Sequence, residues 1–466
     1  MTAIADKGDE AIAAALPDVD GYVTGIAYPR RYYRELNPAA IAFAAQQCGY
    51  PAPRLDQPFR YLDLGCAHGY GPTLFAALFP QGQFLGVDVN PEHIASAERL
   101  RAEAGIDNVV FHATSFAKMV ADTTAPKADC DFIVMHGVMS WVSDAVQRDI
   151  AILIERRLKP GGILYVSYNC QPGWAAKMPM RELLVDAYHL SSGTTVEERL
   201  SQALAFLRRL AESGAQYISA NPSLTPLLEM LEGQEAGYLA HEFLNRHWTV
   251  FYHRDMAARM KATGLDYLGS ANAADNIRLL AVPEKPTALM DAIPDLVMRE
   301  TMRDMTLNRQ FRRDLYGRAL TALPLTSYVA ALKTTRFVLA RPRLDCNLTV
   351  KRSFGDVALD AAIFNPLLDR LAAGSAGFDE LSAVPPLIDW GIADQNQAIQ
   401  VLVGAEFARP IVAGAGVMPD SEAVQRFNQA ATKAALEAGR NDVTLAVPTL
   451  SDARVVSLKP AVPTSD

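Results

Sequence analysis

The feature that most constrains the fold is a continuous pattern over residues 60–90, RYLDLGCAHGYGPTLFAALFPQGQFLGVDVN. Apolar residues at 61–64 predict a short buried strand, and the glycine-containing turn after it precedes a predicted helix over residues 73–79. Residues 84–87 predict a second buried strand, which ends at Asp88. A glycine turn after one strand and a carboxylate at the end of the next predict a doubly wound sheet that holds a nucleoside. Glycine lets the backbone approach a ligand closely, and a carboxylate accepts hydrogen bonds from ribose hydroxyls.

The spacing of the turn discriminates between nucleoside cofactors. A dinucleotide fingerprint requires Gly-x-Gly-x-x-Gly, in which the second glycine makes room for pyrophosphate. Gly65, Ala67 and Gly71 occupy these positions here, so alanine replaces the second glycine. The run DLGCAHG, which begins at Asp63, instead resembles motif I of class I S-adenosylmethionine-dependent methyltransferases. A strand, turn and helix without a ligand is the alternative, and the distance from the turn to Asp88 argues against it.

This resemblance implies S-adenosylmethionine as the cofactor. It places Asp63 near the amino group of the donor and the turn near its methionine carboxylate. Many such enzymes have an acidic residue beside the adenine amino group after the third strand. Thr114 stands there, so adenine recognition is assigned to Ser115 and the backbone, with Phe116 either beside the ring or in the core. The expected donor-binding residues are Asp63, Gly65, Cys66, Ala67, Gly69, Asp88, Val89, Asn90, Ser115, Phe116, His136 and Gly137.

Length and composition limit the other possibilities. A chain of 466 residues predicts about two to four domains. The net charge of −8 argues against a nucleic-acid substrate, because polyanion binding usually needs a basic face. The chain has no run of about 18 apolar residues and no signal-peptide pattern, so we expect no membrane insertion. Five scattered cysteines favour a cytoplasmic protein, and none is spaced as a zinc site.

Two loops sharpen the resemblance. The predicted fourth strand leads into HGVMSW, which begins at His136, and the predicted fifth strand leads into SYNCQPGW, which begins at Ser167. Ligands bind at the carboxyl ends of strands in doubly wound sheets, so both loops are expected to face the reactive methyl group. Together the loops resemble those of bacterial methyltransferases that carry a methyltransferase regulatory domain. That group includes protein-lysine methyltransferases acting on bacterial surface proteins.

The segments around this core complete the expected architecture. The tyrosines and arginines of residues 21–36 predict either a solvated lead-in or a lid over the donor. By analogy with the resembled class, residues 265–270 and 276–283 are expected to complete the sheet with an antiparallel last strand. The expected fold class is α/β, a seven-stranded Rossmann-like sheet with a helical insertion and a C-terminal α+β winged-helix-like module. The expected domains are an N-terminal lid (1–50), the donor-binding core (51–176 and 261–283), the helical insertion (177–260), a helical connector (284–345) and the C-terminal module and tail (346–466).

The roles of the added segments follow from weaker signals. The insertion contains His241, but Asn245 stands where a helical zinc protease has its second histidine, so no metal site is predicted. The resemblance implies that the insertion is a regulatory domain that forms a cap or a homodimer contact, and a plain packed insertion is the alternative. The predicted helix over residues 395–406 has no lysine or arginine, which argues against DNA recognition by the C-terminal module.

The expected chemistry is methyl transfer to a protein or small-molecule acceptor. In-line displacement at a sulfonium requires an aligned, dry site and a neutral amine or deprotonated oxygen, and it requires no metal. His136 is a candidate base, with a structural hydrogen bond as the alternative. Aromatic walls favour a cationic amine, although the alternative for the tryptophans is core packing. The expected residues of the acceptor side are Tyr28, Tyr33, His136, Trp141, Tyr168 and Asn169, with Trp174 beside them.

Three functions remain open at this level. Methylation of protein lysine leads, since large insertions and a C-terminal module favour a macromolecular acceptor. Methylation of a small molecule, sugar or lipid precursor is the rival within enzymes. A donor-binding regulatory protein without turnover is the rival from another class.

Overall fold

A computed structural model describes residues 18–19, 21–23, 26, 30–411 and 421–458. Tyr28, which was expected on the acceptor side, lies outside the described residues. No helix in the described ranges is long and apolar enough to span a bilayer.

The centre of the molecule is a seven-stranded sheet with the order β3-β2-β1-β4-β5-β7-β6. The strands β1 to β5 pair in parallel, whereas β7 is antiparallel to both of its neighbours. The strand order reverses between β1 and β4, and this reversal places a crevice at the carboxyl ends of these strands. The strands are β1 (Phe59–Leu64), β2 (Gly82–Asp88), β3 (Val109–Ala113), β4 (Cys130–Met135), β5 (Leu158–Asn169), β6 (Leu265–Ser270) and β7 (Phe311–Arg318).

The predicted fold class is confirmed, but the predicted position of the last strand is wrong. Residues 276–283 form the end of a 3₁₀ turn and a short helix, and the antiparallel strand is Phe311–Arg318. Ile277 and Leu280 pack into the core of the C-terminal module instead of joining the sheet. The sheet therefore ends at Arg318 and not near Pro283.

The sequence of β7, FRRDLYGR, is highly charged and was assigned to a helical connector. The strand is nevertheless buried because its charges are paired. Arg312 is 2% exposed and contacts Asp314, Asp304 and Glu300 through its guanidinium. These partners come from β7 itself and from the helix Leu296–Leu307, so local sequence patterns do not reveal them.

Helices cover both faces of the sheet, and α1 shows how a local capping signal starts one of them. Asn37 accepts a hydrogen bond from the Ala39 amide, and Pro38 occupies the first turn of α1. One face packs against α1, α2 and α3, and the other packs against α5 and α11. The helices are α1 (Pro38–Gln47), α2 (Tyr70–Leu78), α3 (Pro91–Ala104), α4 (Phe116–Ala121), α5 (Asp144–Arg157), α6 (Met178–Leu190), α7 (Val196–Glu212), α8 (Gln216–Ala220), α9 (Leu224–Glu232), α10 (Ala236–Phe243), α11 (His253–Ala262), α12 (Arg278–Ala281), α13 (Glu284–Asp291), α14 (Leu296–Leu307), α15 (Leu325–Thr334), α16 (Ala361–Ala372), α17 (Phe378–Ser382), α18 (Ile392–Gly404) and α19 (Glu422–Glu437).

The helical insertion has a core of its own. Leucines of α6, α7 and α9 pack together with Phe243 of α10, and Val23 of the lead-in joins them. Trp174 belongs to this core as well, with its ring 4.8 Å from that of Trp248. The core-packing alternative for Trp174 is therefore correct, and the insertion sits beside the crevice as a packed unit.

The residues after β7 form the additional C-terminal module. A three-stranded sheet packs with α16, α17 and α18, and a separate hairpin precedes α16. Beyond the module, α19 and the last hairpin pack against α2 and α3 of the central domain. The strands are β8 (Arg336–Leu339), β9 (Thr349–Arg352), β10 (Gly355–Ala358), β11 (Ala376–Gly377), β12 (Ala408–Ile411), β13 (Asp442–Val447) and β14 (Asp452–Ser457).

Candidate active site

A cavity of about 190 Å³ lies at the carboxyl ends of β1, β2 and β4. It is the crevice that the strand order predicts, closed over by the lead-in and by α10 of the insertion. Residues from seven separate stretches of the chain form its wall. Those expected as donor-binding and found there are Asp63, Gly65, Cys66, Ala67, Asp88, Val89, Ser115, Phe116, His136 and Gly137.

The turn after β1 is shaped for close approach of a ligand. Gly65 has φ +85°, and a Cβ at this position would lie 2.7 Å from Cγ2 of Val138. Ala67 also has positive φ, and its amide donates to Oδ2 of Asp88 at 2.9 Å. This backbone conformation keeps the cavity free of side chains where the donor's methionine portion is expected.

Asp88 is held in place from two sides. Its Oδ2 accepts from the Ala67 amide, and its Oδ1 accepts from the amide of Asn90 at 2.9 Å. Nδ1 of His93 lies 3.3 Å from the same Oδ1. A carboxylate has about four lone-pair positions, so Asp88 retains capacity to accept from ribose hydroxyls in the cavity.

Asp63 lies deeper in the cavity and is 3% exposed. Burial raises the pKa of Asp63 to about 8, and the nearby Asp88 carboxylate adds to the shift. Among the residues that the structure describes, no cation favours the ionised form of Asp63. A cationic amino group of a ligand would supply one, which agrees with the position expected for the donor's amino group.

The adenine end is formed by β3 and the start of α4. Thr114 donates its amide to the Asp88 carbonyl oxygen at 3.0 Å and lines the cavity with Phe116. The Ser115 hydroxyl accepts from the Lys118 amide as the cap of α4. Its oxygen is therefore already used by the helix, and adenine contacts from Ser115 are limited to its remaining donor and lone pair.

His136 and Tyr33 line the cavity together. Their rings stack with centroids 3.8 Å apart, and Nδ1 of His136 lies 2.8 Å from the hydroxyl of Tyr165. Burial lowers the pKa of His136 to about 3, and Arg313 adds to the shift. The prediction of a base in the useful pH range is therefore wrong. The imidazole is neutral at physiological pH, and it binds a proton only weakly.

Two residues expected on the acceptor side lie outside the cavity. Tyr168 is fully buried, and its hydroxyl donates to Asp314 at 2.6 Å in the ion cluster around Arg312. Asn169 is also buried, and its backbone amide donates to the Ser140 hydroxyl at 2.8 Å. Side chains alternate between the two faces of β5, and Tyr168 points toward the ion cluster around Arg312. The position of a residue near the end of a strand does not by itself specify this direction.

Two expected donor-binding residues have structural roles instead. Gly69 is the first residue before α2, and a Cβ there would lie 2.6 Å from the Phe111 ring. The Asn90 side chain caps α3 by accepting from the Glu92 amide at 2.9 Å. Both residues shape the loops that carry the site, but neither lines the cavity.

The structure adds cavity residues that sequence reasoning did not select. His241 and Glu242 reach the cavity from α10, where they join Trp141 and Tyr33, which were expected on the acceptor side and line the cavity too. The signal in the sequence is a charged residue beside aromatic positions of an amphipathic helix, and the spacing of its histidine excludes only a zinc site. The further lining residues are Val19, Tyr22, Arg30, Arg31, Leu36, His68, Tyr70, Gly71, Pro72, Thr114, Ala117, Val138, Val142, Val146 and Phe311.

Comparison with known proteins identifies the family. A family described as "Methyltransferase domain" matches residues 55–236, and one described as "Predicted methyltransferase regulatory domain" matches residues 235–318. An uncharacterized protein of Synechocystis sp. is 33% identical over 89% of this chain and 80% of its own length. The chain belongs to the class I S-adenosylmethionine-dependent methyltransferases with a regulatory domain. In this methyltransferase the match to the regulatory domain extends to the end of β7. The regulatory domain was expected in the helical insertion, residues 177–260.

The fold of the methyltransferase also matches a solved structure over most of its length. PKMT2 from Rickettsia typhi in complex with AdoHcy superposes with a TM-score of 0.70 and 22% identity, covering 92% of this chain and 86% of that one. Over a shorter region, trans-aconitate 2-methyltransferase of Acidovorax ebreus is 30% identical, covering 33% of this chain and 53% of that protein. S-adenosylmethionine is the cofactor. The open turn at Gly65 fits its methionine portion, and the carboxylates of Asp63 and Asp88 fit its amino group and its ribose.

Proposed function

We propose that this methyltransferase transfers methyl groups to the side-chain amine of lysine in a protein acceptor. The observation that carries the proposal is the aromatic lining of the cavity, to which Tyr22, Tyr33 and Trp141 contribute. Such a lining suits the alkyl chain and cationic head of a lysine. The Rickettsia typhi neighbour, which is named PKMT2, adds support for a similar acceptor.

When bound, the donor supplies an electrophilic methyl group on a sulfonium. The residues of this chain provide its surroundings. The stacked rings of Tyr33 and His136 and the buried indole of Trp141 exclude water from the acceptor side. A dry and aligned site supports displacement because the nucleophile keeps no hydration shell to lose. A neutral His136 places no positive charge against an incoming ammonium.

A second candidate is methylation of a small anionic acceptor. Arg30 and Arg31 line the same cavity, and their cationic side chains would attract a carboxylate. The trans-aconitate 2-methyltransferases resemble the donor-binding part of this chain and are named for such an acceptor. The lysine proposal and this candidate differ in the chemistry of the labelled product.

Isotope transfer distinguishes the two. The parent protein would be incubated with a bacterial lysate and S-adenosylmethionine carrying an isotopically labelled methyl group, followed by mass spectrometry of the protein and small-molecule fractions. We expect label on lysine residues of proteins. Label confined to small carboxylic acids, or to aspartate and glutamate side chains, would contradict the lysine proposal and favour the second candidate.

A further inference from the structure

The helix α10 brings one carboxylate from the insertion to the cofactor cavity. Leu239 and Phe243, four residues apart, pack into the insertion core, while Glu242 lines the cavity. The carbonyl oxygen of Glu242 accepts hydrogen bonds from the indole nitrogen of Trp141 at 3.2 Å and from that of Trp248 at 3.1 Å. These two bonds fix the end of the helix, and with it the backbone from which the Glu242 side chain extends.

The carboxylate of Glu242 has no hydrogen bond or ion pair with any residue that the structure describes. The charged and titratable groups that face it are Arg31 from the lead-in, Tyr22 and, on its own helix, Tyr238 and His241. The Arg31 guanidinium lies 4.7 Å from the centre of the Tyr238 ring and forms no ion pair with Glu242. Burial raises the pKa of Glu242 to about 7, and Arg31 opposes the shift in part.

Glu242 is half-buried in the wall of the cavity, and a carboxylate that is partly removed from water is stabilised by a cationic group that a ligand supplies. Three carboxylates line the cavity among the residues described, and Asp63 and Asp88 lie on the donor side. Glu242 stands on the insertion side, next to Trp141 of the aromatic lining. His136 cannot take the same role because its pKa of about 3 makes it a weak base.

We propose that Glu242 binds the ammonium group of the acceptor and takes its proton before methyl transfer, so that the acceptor is an amine and not an acid. This inference rests on the proposed lysine acceptor and adds the residue that prepares it. The N–H bond of the ammonium breaks, its electron pair stays on nitrogen, and the proton moves to a carboxylate oxygen of Glu242. The nitrogen then forms the new N–C bond while the S–C bond breaks, with its electron pair going to sulfur. The products are a methylammonium and a neutral thioether, and Glu242 releases its proton to solvent.

The same carboxylate disfavours the rival acceptor. An anionic acceptor at this wall would face a like charge in a desolvated site, where such a contact costs several kcal/mol. A lysine ammonium would gain a charge-assisted hydrogen bond at the same place.

Glu242→Gln tests the proposal, because glutamine keeps the shape of the side chain but cannot take a proton at neutral pH. Donor binding would be measured by calorimetry, and lysine methylation would be followed in the protein fraction of a bacterial lysate with labelled donor. We expect donor affinity within about twofold of the parent and methylation slowed by about 10²–10³-fold at neutral pH, the usual range for loss of a general base. Glu229→Gln, an exposed glutamate of α9 in the same insertion, is the matched control.

The pH profile separates a base from a residue with a structural role. The rate at low acceptor concentration should rise with pH through about 7 in the parent and in Glu242→Asp, because the carboxylate must be ionised to accept a proton. Glu242→Gln should lose this rise and recover toward the parent near pH 10, where solvent deprotonates lysine.

The two proposals fail in different ways. Equal lysine methylation by Glu242→Gln and the parent at neutral pH would overturn the role of Glu242 and leave the lysine acceptor in place. A parent that labels only carboxylic acids would overturn both.

Discussion

The carboxylate of Asp452, near the end of the chain, accepts a hydrogen bond from the hydroxyl of Tyr32, which is 420 positions away. Nε of Arg409 donates to the same carboxylate at 3.0 Å, and Asn37 donates to the carbonyl oxygen of Ser451 at 2.8 Å. Tyr33, which follows Tyr32 in the chain, lines the cavity. The C-terminal residues therefore position the segment that closes the active site.

Asp452→Ala should lower the free energy of unfolding by about 1–3 kcal/mol, because it leaves two half-buried donors, Tyr32 and Arg409, without their acceptor. It should also raise the KM for the acceptor, since the segment that carries Tyr33 loses its anchor. Urea unfolding and methylation kinetics measure the two effects. Asp442→Ala removes an exposed aspartate of the same C-terminal hairpin and should change stability by no more than about 0.5 kcal/mol. Equal effects of the two variants would contradict this role of Asp452.

Gly65→Ala should weaken donor binding by about tenfold or more, equivalent to roughly 1.4 kcal/mol. The new Cβ would lie 2.7 Å from Val138 and force the turn to move. Gly49→Ala is a close control, because Gly49 has the same φ of +85° and open space around its Cβ position. Both variants carry the cost of a left-handed alanine, about 1–2 kcal/mol, so any additional loss in Gly65→Ala measures close approach at the turn. Calorimetry with the donor would reveal it, and identical affinities would refute the assignment.

Asp88→Ala should reduce the affinity for the donor and for its demethylated product by about 10–100-fold. Charge-assisted hydrogen bonds contribute roughly 1.5–3 kcal/mol, and the substitution also removes the acceptor of the Ala67 amide. Asp122→Ala, at an exposed position after α4, should bind both ligands as the parent does. Unchanged calorimetric affinity of Asp88→Ala would show that the ribose lies elsewhere.

Donor binding should release protons through Asp63. The pKa of Asp63 is raised to about 8 by burial and Asp88, so the group is mostly protonated in the apo protein at neutral pH. A cationic amino group favours the ionised form, so donor affinity should rise with pH up to about 8. Calorimetry in two buffers of different ionisation enthalpy should detect the released proton in the parent and none in Asp63→Asn.

The same shift has a consequence for stability. The folded pKa of Asp63 lies above the unfolded value of about 3.9, so its stabilising effect is complete below pH 4. This stability is lost as pH rises toward 8, and Asp63→Asn should remove that part of the pH dependence of unfolding in the apo protein.

Arg312→Met should destabilise the protein by about 3–5 kcal/mol, because it leaves several carboxylates buried without their cation. Burial alone would raise the pKa of Asp314, but Arg312 and His253 reverse the effect and hold this pKa below its usual range. The parent should therefore lose stability as pH falls below about 4, where unfolded aspartate takes up a proton.

In Arg312→Met, acidification should instead recover stability, since protonation relieves the stranded carboxylates. Urea unfolding across pH 3 to 7 compares the two slopes. Arg254→Met, at an exposed arginine of α11, should follow the parent. Parallel slopes for Arg312→Met and the parent would show that Arg312 does not control these groups.

The local patterns of the chain predicted the parts of the fold that depend on neighbouring residues. Strands β1 and β2, the turn at Gly65 and the carboxylate of Asp88 are readable because apolar runs, glycine and a strand-ending aspartate act within a few residues. The same reasoning placed His136 and Gly137 at the cavity, since both follow β4 at the edge where parallel strands end.

Prediction failed where distant residues change the meaning of a local pattern. A charged segment became β7 because Glu300 and Asp304 of α14 pair with Arg312. An apolar segment around Leu280 left the sheet because the C-terminal module offered it a separate core. His136 lost its basicity through burial, which is a property of the assembled site.

The sequence by itself determined that a nucleoside-binding sheet forms and which edge of it holds the donor, because hydrogen bonding and side-chain periodicity are local. Only the tertiary structure decided which other residues of the chain line the cavity there. Glu242 and Tyr33 reach the cavity from the insertion and from a segment anchored by Asp452, through packing between parts of the chain far apart in sequence. Such contacts depend on three-dimensional complementarity, so the spacing of residues within one segment does not predict them.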